Sequence, residues 1–368
     1  MKLTRIAPLG VMALAGALAL AGCAANEAGA TDTSTSNGTA TGSALKGTLN
    51  GIGSSAQGTA QQVWIAGIQT ANPDLTVNYD PQGSGAGRKS FISGAADFAG
   101  SDAALKDAEL AGTFALCAPG TKAIDLPVYI SPIAIAYNVA GVTDLKLDAP
   151  TIAGIFSGKI TRWNDPKIAA LNSGASLPDA AIVVVHRSDD SGTTQNFTEY
   201  LAANAKDVWT APASQTYPFP VGDAAKGTSG VAEATKNAKN SITYIDESGA
   251  AGLSIAELKV GDTFTKISAE GAAKVVADSP QVSGREANDL AIAIDHTDTQ
   301  AGAWPLVLVS YVIACQQYQD AATASLVSNY VQYVAGDAAQ QAAAQQAGSA
   351  PLSSELSTKV IAAAQSIK

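Results

Sequence analysis

Residues 181–193 read Ala-Ile-Val-Val-Val-His-Arg-Ser-Asp-Asp-Ser-Gly-Thr. The first five form a continuous apolar run, which is typical of a strand buried on both faces of a parallel sheet. Small and hydroxyl residues follow from Arg187 to Thr193, and the next stretch places Phe197, Tyr200 and Leu201 on one helical face. This segment therefore predicts a strand, a turn and a helix, which is the repeating unit of an α/β protein.

The same alternation extends along the chain. Further strands are predicted at Leu75–Tyr79, Ala96–Ala99, Ile124–Val139, Ser241–Ile245 and Leu306–Ala314, and helices at Pro150–Phe156, at Glu270–Ala277 and within Ala321–Ile367. With 368 residues, of which 46% are hydrophobic, the chain is long enough for about two domains. We expect the α/β class with largely parallel sheets.

Four segments, which we call the site loops, place small or hydroxyl residues at a strand-to-helix turn, where free N–H groups point outward. They are Gly51–Ala56, Gly83–Gly87, Gly100–Asp102 and Arg187–Thr193. Each segment alone is weak evidence for a binding site, because Gly-Ser strings and N-cap residues are common in loops. Together they indicate one binding site, because ligands of open α/β sheets bind at the carboxyl ends of the strands.

The residue types in the site loops indicate an oxyanion as the ligand. Hydroxyls and unobstructed N–H groups are donors, and Arg187 is a fork-shaped cation suited to an oxyanion. Asp102 is an acceptor, which fits only an anion that carries a proton, as phosphate does and sulfate does not at neutral pH. The net charge of −10 argues against nucleic acid or anionic lipid as the main partner, but a small anion can still be held by backbone N–H groups.

On these residues the chain resembles the phosphate-binding protein of the phosphate ABC transporter, the PstS family, from about Leu49 to the C-terminus. Arg187–Thr193 is similar to that family's R-x-D-G-S-G-T phosphate loop, Gly83–Gly87 to its second glycine-rich loop and Ala99–Ala103 to its G-A-S-D-A segment. The supporting strings are Trp163–Pro166, Gly227–Val231 and Trp304–Pro305.

The resemblance implies a set of phosphate ligands: Ser55, Ala56 through its N–H, Ser84, Asp102, Arg187, Ser191, Gly192 and Thr193. It also implies that Asp189 pairs with Arg187 and orients its guanidinium. Two positions depart from the family pattern, since Ser55-Ala56 stands where many members have Thr-Phe and Asp190 replaces the loop glycine. We expect the Asp190 side chain to point to solvent, because it would otherwise bring negative charge close to an anion.

The family fold implies two α/β lobes of periplasmic-binding-protein type II, with the ligand in the cleft between them. Two crossing strands are expected near Ile135–Val139 and Gly302–Leu306. The first lobe would be discontinuous, at 46–138 and 303–368, and the second would span 139–302. Ligand would then favour closure of the cleft, because only the closed state makes the contacts of both lobes.

The N-terminus predicts export and a lipid anchor. Basic residues precede an apolar run from Pro8 to Ala21, which is too short for a comfortable membrane span and ends in Leu-Ala-Gly-Cys. This string resembles a bacterial lipobox, so we expect a signal peptide at 1–22 and lipidation of Cys23 at the outer face of the cytoplasmic membrane. An ordinary signal peptide with a chance cysteine is the alternative. Residues 23–45 have the composition of a flexible tether.

Two further cysteines, Cys117 and Cys315, would both lie in the discontinuous first lobe. The compartment outside the membrane permits disulfides, so we predict a bond between them. Two buried free thiols are the alternative.

The sequence also leaves other functions open. A serine hydrolase or secreted phosphatase would need a base near its nucleophile, but His186 and His296 are the only histidines and no G-x-S-x-G or G-x-x-x-x-G-K-[ST] motif occurs. We therefore expect no catalytic residue, no metal site and no cofactor. A molybdate, tungstate or sulfate carrier would rely on donors alone, so Asp102 discriminates against it. An exported sensor or adhesin could also keep the fold. The expected partners are inorganic phosphate, the permease subunits of the ABC transporter and, through the anchor, the membrane, with no nucleic acid.

Overall fold

The computed structural model describes residues 44–368. The strands are β1 (Gly47–Gly53), β2 (Leu75–Asp80), β3 (Phe98–Ser101), β4 (Ala123–Asn138), β5 (Lys146–Leu147), β6 (Val183–Arg187), β7 (Asp223–Ala225), β8 (Ser241–Asp246), β9 (Ser254–Ile255), β10 (Glu257–Val260), β11 (Thr263–Thr265) and β12 (Val307–Cys315). The helices are α1 (Gly58–Ala71), α2 (Ser84–Ile92), α3 (Asp107–Leu110), α4 (Ala149–Phe156), α5 (Pro166–Leu171), α6 (Gly192–Asn204), α7 (Gly227–Asn237), α8 (Ala269–Asp278), α9 (Ala321–Ala335), α10 (Asp337–Ala347) and α11 (Ser354–Gln365), with a 3₁₀ turn at Glu247–Gly249. The predicted signal peptide, Cys23 and nearly all of the predicted tether lie outside the described residues.

One sheet carries most of these strands, in the order β2-β1-β3-β12-β4-β8-β6-β7, with β9 paired to β4. Strand β4 pairs with β12 up to Pro132 and with β8 from Ile133 onward. We call β2, β1, β3 and β12 the first sheet group and β8, β6 and β7 the second sheet group; β4 belongs to both. The lobe boundaries predicted after residues 138 and 302 stay predictions.

The expectation of largely parallel sheets is wrong at the centre of this sheet. Strand β1 is parallel to β2 and β3, and β6 is parallel to β7 and β8. Strand β12 is antiparallel to both β3 and β4, and β4 is antiparallel to β8. The two long central strands carry the chain out of the first sheet group and back into it, so they run in opposite directions.

Two prolines lie within β4, although proline cannot donate to a sheet ladder. Pro127 lies opposite Tyr311, where the register between β4 and β12 shifts. Pro132 is the last residue of β4 paired with β12 before the strand changes partner. Both prolines therefore lie where the ladder is already interrupted, and the strand tolerates them.

Strand boundaries differ from the predictions where local pairing competes. Strand β6 begins two residues after Ala181, because Ala181 forms an isolated bridge with Arg162 instead. Strand β3 begins at Phe98 rather than at Ala96, and the preceding Asp97 accepts a hydrogen bond from the N–H of Asn50. A small sheet in the order β11-β10-β5 was not predicted, since its strands are only two to four residues long.

Buried apolar side chains hold the helices that follow the site loops. Trp64 of α1, Phe91 of α2 and Phe197 of α6 are completely buried. Their burial anchors the three helices in the core and thereby limits the movement of the loops that precede them.

The predicted disulfide is present. It joins Cys117 to Cys315, which lie 198 positions apart. Cys315 is the last residue of β12 and pairs with Ala123, the first residue of β4. The bond therefore ties the segment before β4 to the last strand of the first sheet group.

No helix within residues 44–368 has the length and apolar character needed to cross a bilayer.

Candidate functional site

The site loops meet between the two sheet groups. Ser84 Oγ accepts a hydrogen bond from the N–H of Asp102 at 3.1 Å, which joins two loops of the first sheet group. Thr193 Oγ1, at the start of α6 in the second sheet group, donates to Asp102 Oδ2 at 3.3 Å. The carboxyl ends of β2, β3 and β6 thus converge on one point, as the strand-end rule for α/β sheets requires.

Gly192 marks a close approach of the two sheet groups. A Cβ atom at this position would lie 2.6 Å from Asp102 Cβ and 2.7 Å from Ser84 Oγ. No larger residue fits without moving one of these loops, so glycine allows the N-terminus of α6 to contact both loops of the first sheet group.

The first turn of α6 offers donors to an anion. Ser191 is the N-cap residue, and its Oγ accepts from the N–H of Thr194 at 3.1 Å. Gly192 and Thr193 are the first two helical residues, so their N–H groups have no partner inside the helix. All three residues are buried. A helix N-terminus in this setting favours negative charge.

Arg187 brings a buried cation to the same point. Its side chain is 4% exposed, and Asp189 accepts from Nε at 2.8 Å and from Nη2 at 2.5 Å. Burial raises the pKa of Asp189, but the hydrogen bonds and charge of Arg187 outweigh burial and leave that pKa below its usual value. The carboxylate therefore stays ionised, and it fixes the orientation of the guanidinium.

Asp102 is a buried carboxylate surrounded by donors. Its Oδ1 accepts from the hydroxyls of Ser54 and Ser310, the latter at 2.6 Å, and Oδ2 accepts from Thr193. Burial raises the pKa of Asp102, while the hydrogen bonds from Ser310 and Ser54 and the charge of Arg187 lower it. Two hydroxyls occupy Oδ1, so Oδ2 is the oxygen with capacity left for a ligand proton.

Asp190 lies at the edge of this cluster and not inside it. Its carboxylate accepts from Lys89 Nζ at 2.8 Å and from Thr216 Oγ1 at 2.9 Å, and its side chain is 40% exposed. The hydrogen bond from Lys89 is the main cause of the lowered pKa of Asp190. The charge at the position of the loop glycine is therefore balanced by a lysine of α2.

The first site loop contributes differently from the set implied by the resemblance. The N–H of Ala56 donates to Ser54 Oγ at 3.1 Å, and Ser55 Oγ accepts from the N–H of Thr228 at 3.0 Å. Ser55 therefore links β1 to the start of α7 across the two sheet groups. The ligand roles of Ser55 and Ala56 stay predictions.

Several residues of this cluster were missed in the sequence. Ser54 adjoins a predicted ligand, and Thr228 lies in one of the supporting strings, so both had a weak signal. Ser310 was visible only as a single hydroxyl residue inside the apolar run of β12. Arg88 has no local signal, because an arginine in a helix is usually solvated.

The described residues contain no group of three or more His, Cys, Asp or Glu side chains that could hold a metal ion. The two histidines make separate contacts. The His186 ring stacks on Tyr217 with centroids 3.9 Å apart, and His296 Nδ1 donates to the carbonyl of Pro305 at 2.8 Å.

Comparison with known proteins agrees with this geometry. A family model described as a PBP superfamily domain matches residues 38–338. The phosphate-binding protein PstS2 of Mycobacterium bovis is 37% identical over 377 residues, which cover all of both chains. The chain belongs to the PstS family of phosphate-binding proteins. Phosphate-binding protein PstS 3 of Mycobacterium tuberculosis is likewise 37% identical over 381 residues.

The PstS assignment agrees with the fold. A solved structure of a high-affinity periplasmic phosphate-binding protein bound with phosphate matches this chain with a TM-score of 0.69 at 24% identity, over 86% of this chain and 93% of that chain. The expected two-lobed periplasmic-binding-protein fold of type II is confirmed. The cluster around Asp102 lies between the first and second sheet groups of this fold.

Proposed function

We propose that this PstS family member is an extracytoplasmic, lipid-anchored protein that captures inorganic phosphate and delivers it to an ABC importer. The observation that carries the proposal is the buried carboxylate of Asp102 among donors from both sheet groups. An anion that carries a proton of its own can donate it to Asp102 Oδ2, whereas a fully ionised anion would face a carboxylate without a hydrogen bond.

The proposed ligands come from both sheet groups. Ser55, the N–H of Ala56, Ser84 and Asp102 are on one side, and Arg187, Ser191, Gly192 and Thr193 are on the other. Phosphate then bridges two lobes at 46–138 plus 303–368 and at 139–302, and favours the closed arrangement because only that arrangement makes both sets of contacts. Phosphate contributes binding free energy to closure, and release requires reopening.

Titration of the mature domain tests the proposal. Bound ligand is first stripped, and phosphate, sulfate and arsenate are then titrated by isothermal calorimetry. We expect one phosphate per chain, a dissociation constant well below millimolar and a rise in melting temperature with phosphate concentration. Saturating phosphate without any thermal shift would overturn the proposal.

The anchor is tested separately. Cys23→Ser protein is expected in the soluble fraction with phosphate affinity unchanged, because two acyl chains supply the membrane affinity and the binding site is remote in sequence. Cys23→Ser protein that stays in the membrane fraction would show that the N-terminus attaches by another means.

We expect the protein to bind and not to catalyse. Neither histidine contacts a serine hydroxyl of the site loops within the described residues, since His186 Nδ1 lies 2.9 Å from the carbonyl of Arg187 and His296 Nδ1 faces that of Pro305. A serine of the site loops would therefore lack the base that is needed to activate its hydroxyl as a nucleophile. Turnover of a chromogenic phosphate ester by purified protein would contradict this expectation.

A further inference from the structure

Arg88 is a buried cation of α2 that lies outside the proposed ligand set. Its side chain is 4% exposed. Its Nε donates to both carboxylate oxygens of Glu109, at 3.0 and 3.2 Å, and Nη1 donates to Ser101 Oγ at 3.1 Å. Its Nη2 donates to Gln215 Oε1 at 2.7 Å. Ser101 is the last residue of β3 in the first sheet group and Glu109 lies in α3, whereas Gln215 lies between α6 and β7. Arg88 thus spans the boundary between the two sheet groups.

Each end of this contact is joined to a site loop. Ser101 directly precedes Asp102, and Arg88 lies one helical turn after Ser84. On the other side, the carbonyl of Gln215 accepts from the N–H of Ser191, the N-cap of α6, at 2.9 Å. One guanidinium therefore connects the loops that supply Ser84 and Asp102 with the loop that supplies the N-terminus of α6.

The amide of Gln215 is oriented by Arg88. Arginine has only donors, so only Oε1 of Gln215 can face Nη2. In this orientation Nε2 of Gln215 is buried and has no hydrogen-bond partner within residues 44–368. An unpaired buried donor is unfavourable, yet the reverse orientation would place two donors against each other. The contact with Arg88 therefore outweighs the cost of the unpaired amide.

We propose that Arg88 is a positioning residue for phosphate binding, which stabilises the closed arrangement of the site loops through Gln215 without contacting phosphate. This rests on the proposed function, in which phosphate binds between the sheet groups. When the sheet groups separate, Arg88 keeps Glu109 and Ser101, which are on its own side, and loses only Gln215. The Arg88–Gln215 hydrogen bond therefore contributes free energy to the closed state alone, and it slows phosphate dissociation.

A double-mutant cycle on the mature domain tests this role. The variants are Arg88→Met, Gln215→Leu and their combination. Gln215→Leu leaves Arg88 with Glu109 and Ser101, so it remains informative if Arg88→Met fails to fold. Phosphate affinity is measured by calorimetry and dissociation by stopped flow, and urea unfolding is measured without phosphate. The matched control is Arg162→Met, which removes a half-exposed arginine paired with Asp179 on the surface.

We expect Gln215→Leu to weaken phosphate binding by about ten- to a hundred-fold, the effect of losing one hydrogen bond to a charged group, through faster dissociation. The double variant should bind phosphate no more weakly than the weaker of the two single variants. The two substitutions should show little coupling in the free energy of unfolding measured without phosphate. Arg162→Met should bind as the wild type does. The role of Arg88 would be overturned by an unchanged phosphate affinity in Gln215→Leu or by additive effects of the two substitutions on that affinity. It would also be overturned if the two substitutions were equally coupled in the free energy of unfolding without phosphate. Absence of phosphate binding by the wild type would instead overturn the proposed function.

Discussion

Ser310 Oγ donates a hydrogen bond to a carboxylate oxygen of Asp102 across 2.6 Å, although the two residues lie 208 positions apart. Ser310 lies in the middle of β12, beside the partner strand β3 that leads to Asp102. Strand β12, which lies near the C-terminus, thus completes the hydrogen-bonding environment of Asp102, a carboxylate in the first third of the chain.

Removal of this hydroxyl should change the pH dependence of phosphate binding. Ser310→Ala deletes a donor that lowers the pKa of Asp102, so burial raises that pKa further. Protonated Asp102 cannot accept the ligand proton through the oxygen that carries its own. We expect affinity to fall at a higher pH than in the wild type as the solution is acidified. Ser357→Ala is the control, since Ser357 is also buried and its hydroxyl donates to the carbonyl of Ala335, away from Asp102. Superimposable pH profiles would contradict the role of Ser310.

Asp102 itself should determine selectivity between phosphate and sulfate. Asp102→Asn removes the charge that repels an unprotonated oxygen, so we expect sulfate to bind far better. Phosphate affinity should change less, because the amide oxygen still accepts the proton of phosphate. Sites built around one such hydrogen bond reject the wrong ligand by roughly 10⁴–10⁵. Asp102→Leu offers no acceptor and should weaken phosphate more. Calorimetry with both anions at two pH values makes the comparison; continued exclusion of sulfate by Asp102→Asn would assign selectivity elsewhere.

Asp190 should have only a small effect on affinity. Its bond to Lys89 is exposed on both sides, and exposed ion pairs contribute little. We expect Asp190→Asn to change the phosphate dissociation constant by less than about five-fold, the range of an exposed pair. Titration at low and high salt measures it. A much larger loss would mean that the pair with Lys89 holds the loop in place.

Stability should fall as pH rises towards neutrality. Burial raises the pKa of Asp246, which is completely buried beside Tyr129, from 3.8 to about 7. Between these two values the folded protein binds a proton that the unfolded chain has released, so this contribution is fully present below pH 3.8 and is lost as the pH rises to about 7. We expect the urea midpoint to drop between about pH 5 and about pH 7, and to drop less in Asp246→Asn. An equal drop in both proteins would assign the effect to other buried acids, such as Asp125, whose pKa is also raised by burial.

The disulfide should stabilise the first sheet group without affecting ligand contacts. Removal of a native disulfide typically costs about 2–5 kcal/mol. We expect Cys117→Ser with Cys315→Ser to lower the free energy of unfolding by an amount in this range and to leave phosphate affinity unchanged. Urea unfolding and calorimetry measure both quantities. Loss of affinity at full folding would show that the bond also positions β12 and Ser310.

The sequence predicted those parts of the site that local patterns encode. Arg187–Thr193 combines a strand end, a cap and a helix start within one segment, so its structure follows from neighbours in the chain. The contacts of Ser310 and Arg88 depend on the pairing of β12 with β3 and on the approach of two sheet groups. Neither has a local signal, since a single serine in a strand and an arginine in a helix occur in most proteins. The antiparallel centre was missed for the same reason, because strand direction depends on the order of the sheet.

The position of β12 also has a consequence for folding. Strands β3 and β4 are complete by residue 138, but the strand between them begins at Val307. A growing or truncated chain that stops before Val307 leaves the edges of β3 and β4 unpaired and open to other strands. Pairings this distant in sequence close slowly, because a long loop must be ordered before they form. The first sheet group can therefore be completed only after nearly the whole chain is present, and until then these open edges expose the protein to aggregation and proteolysis.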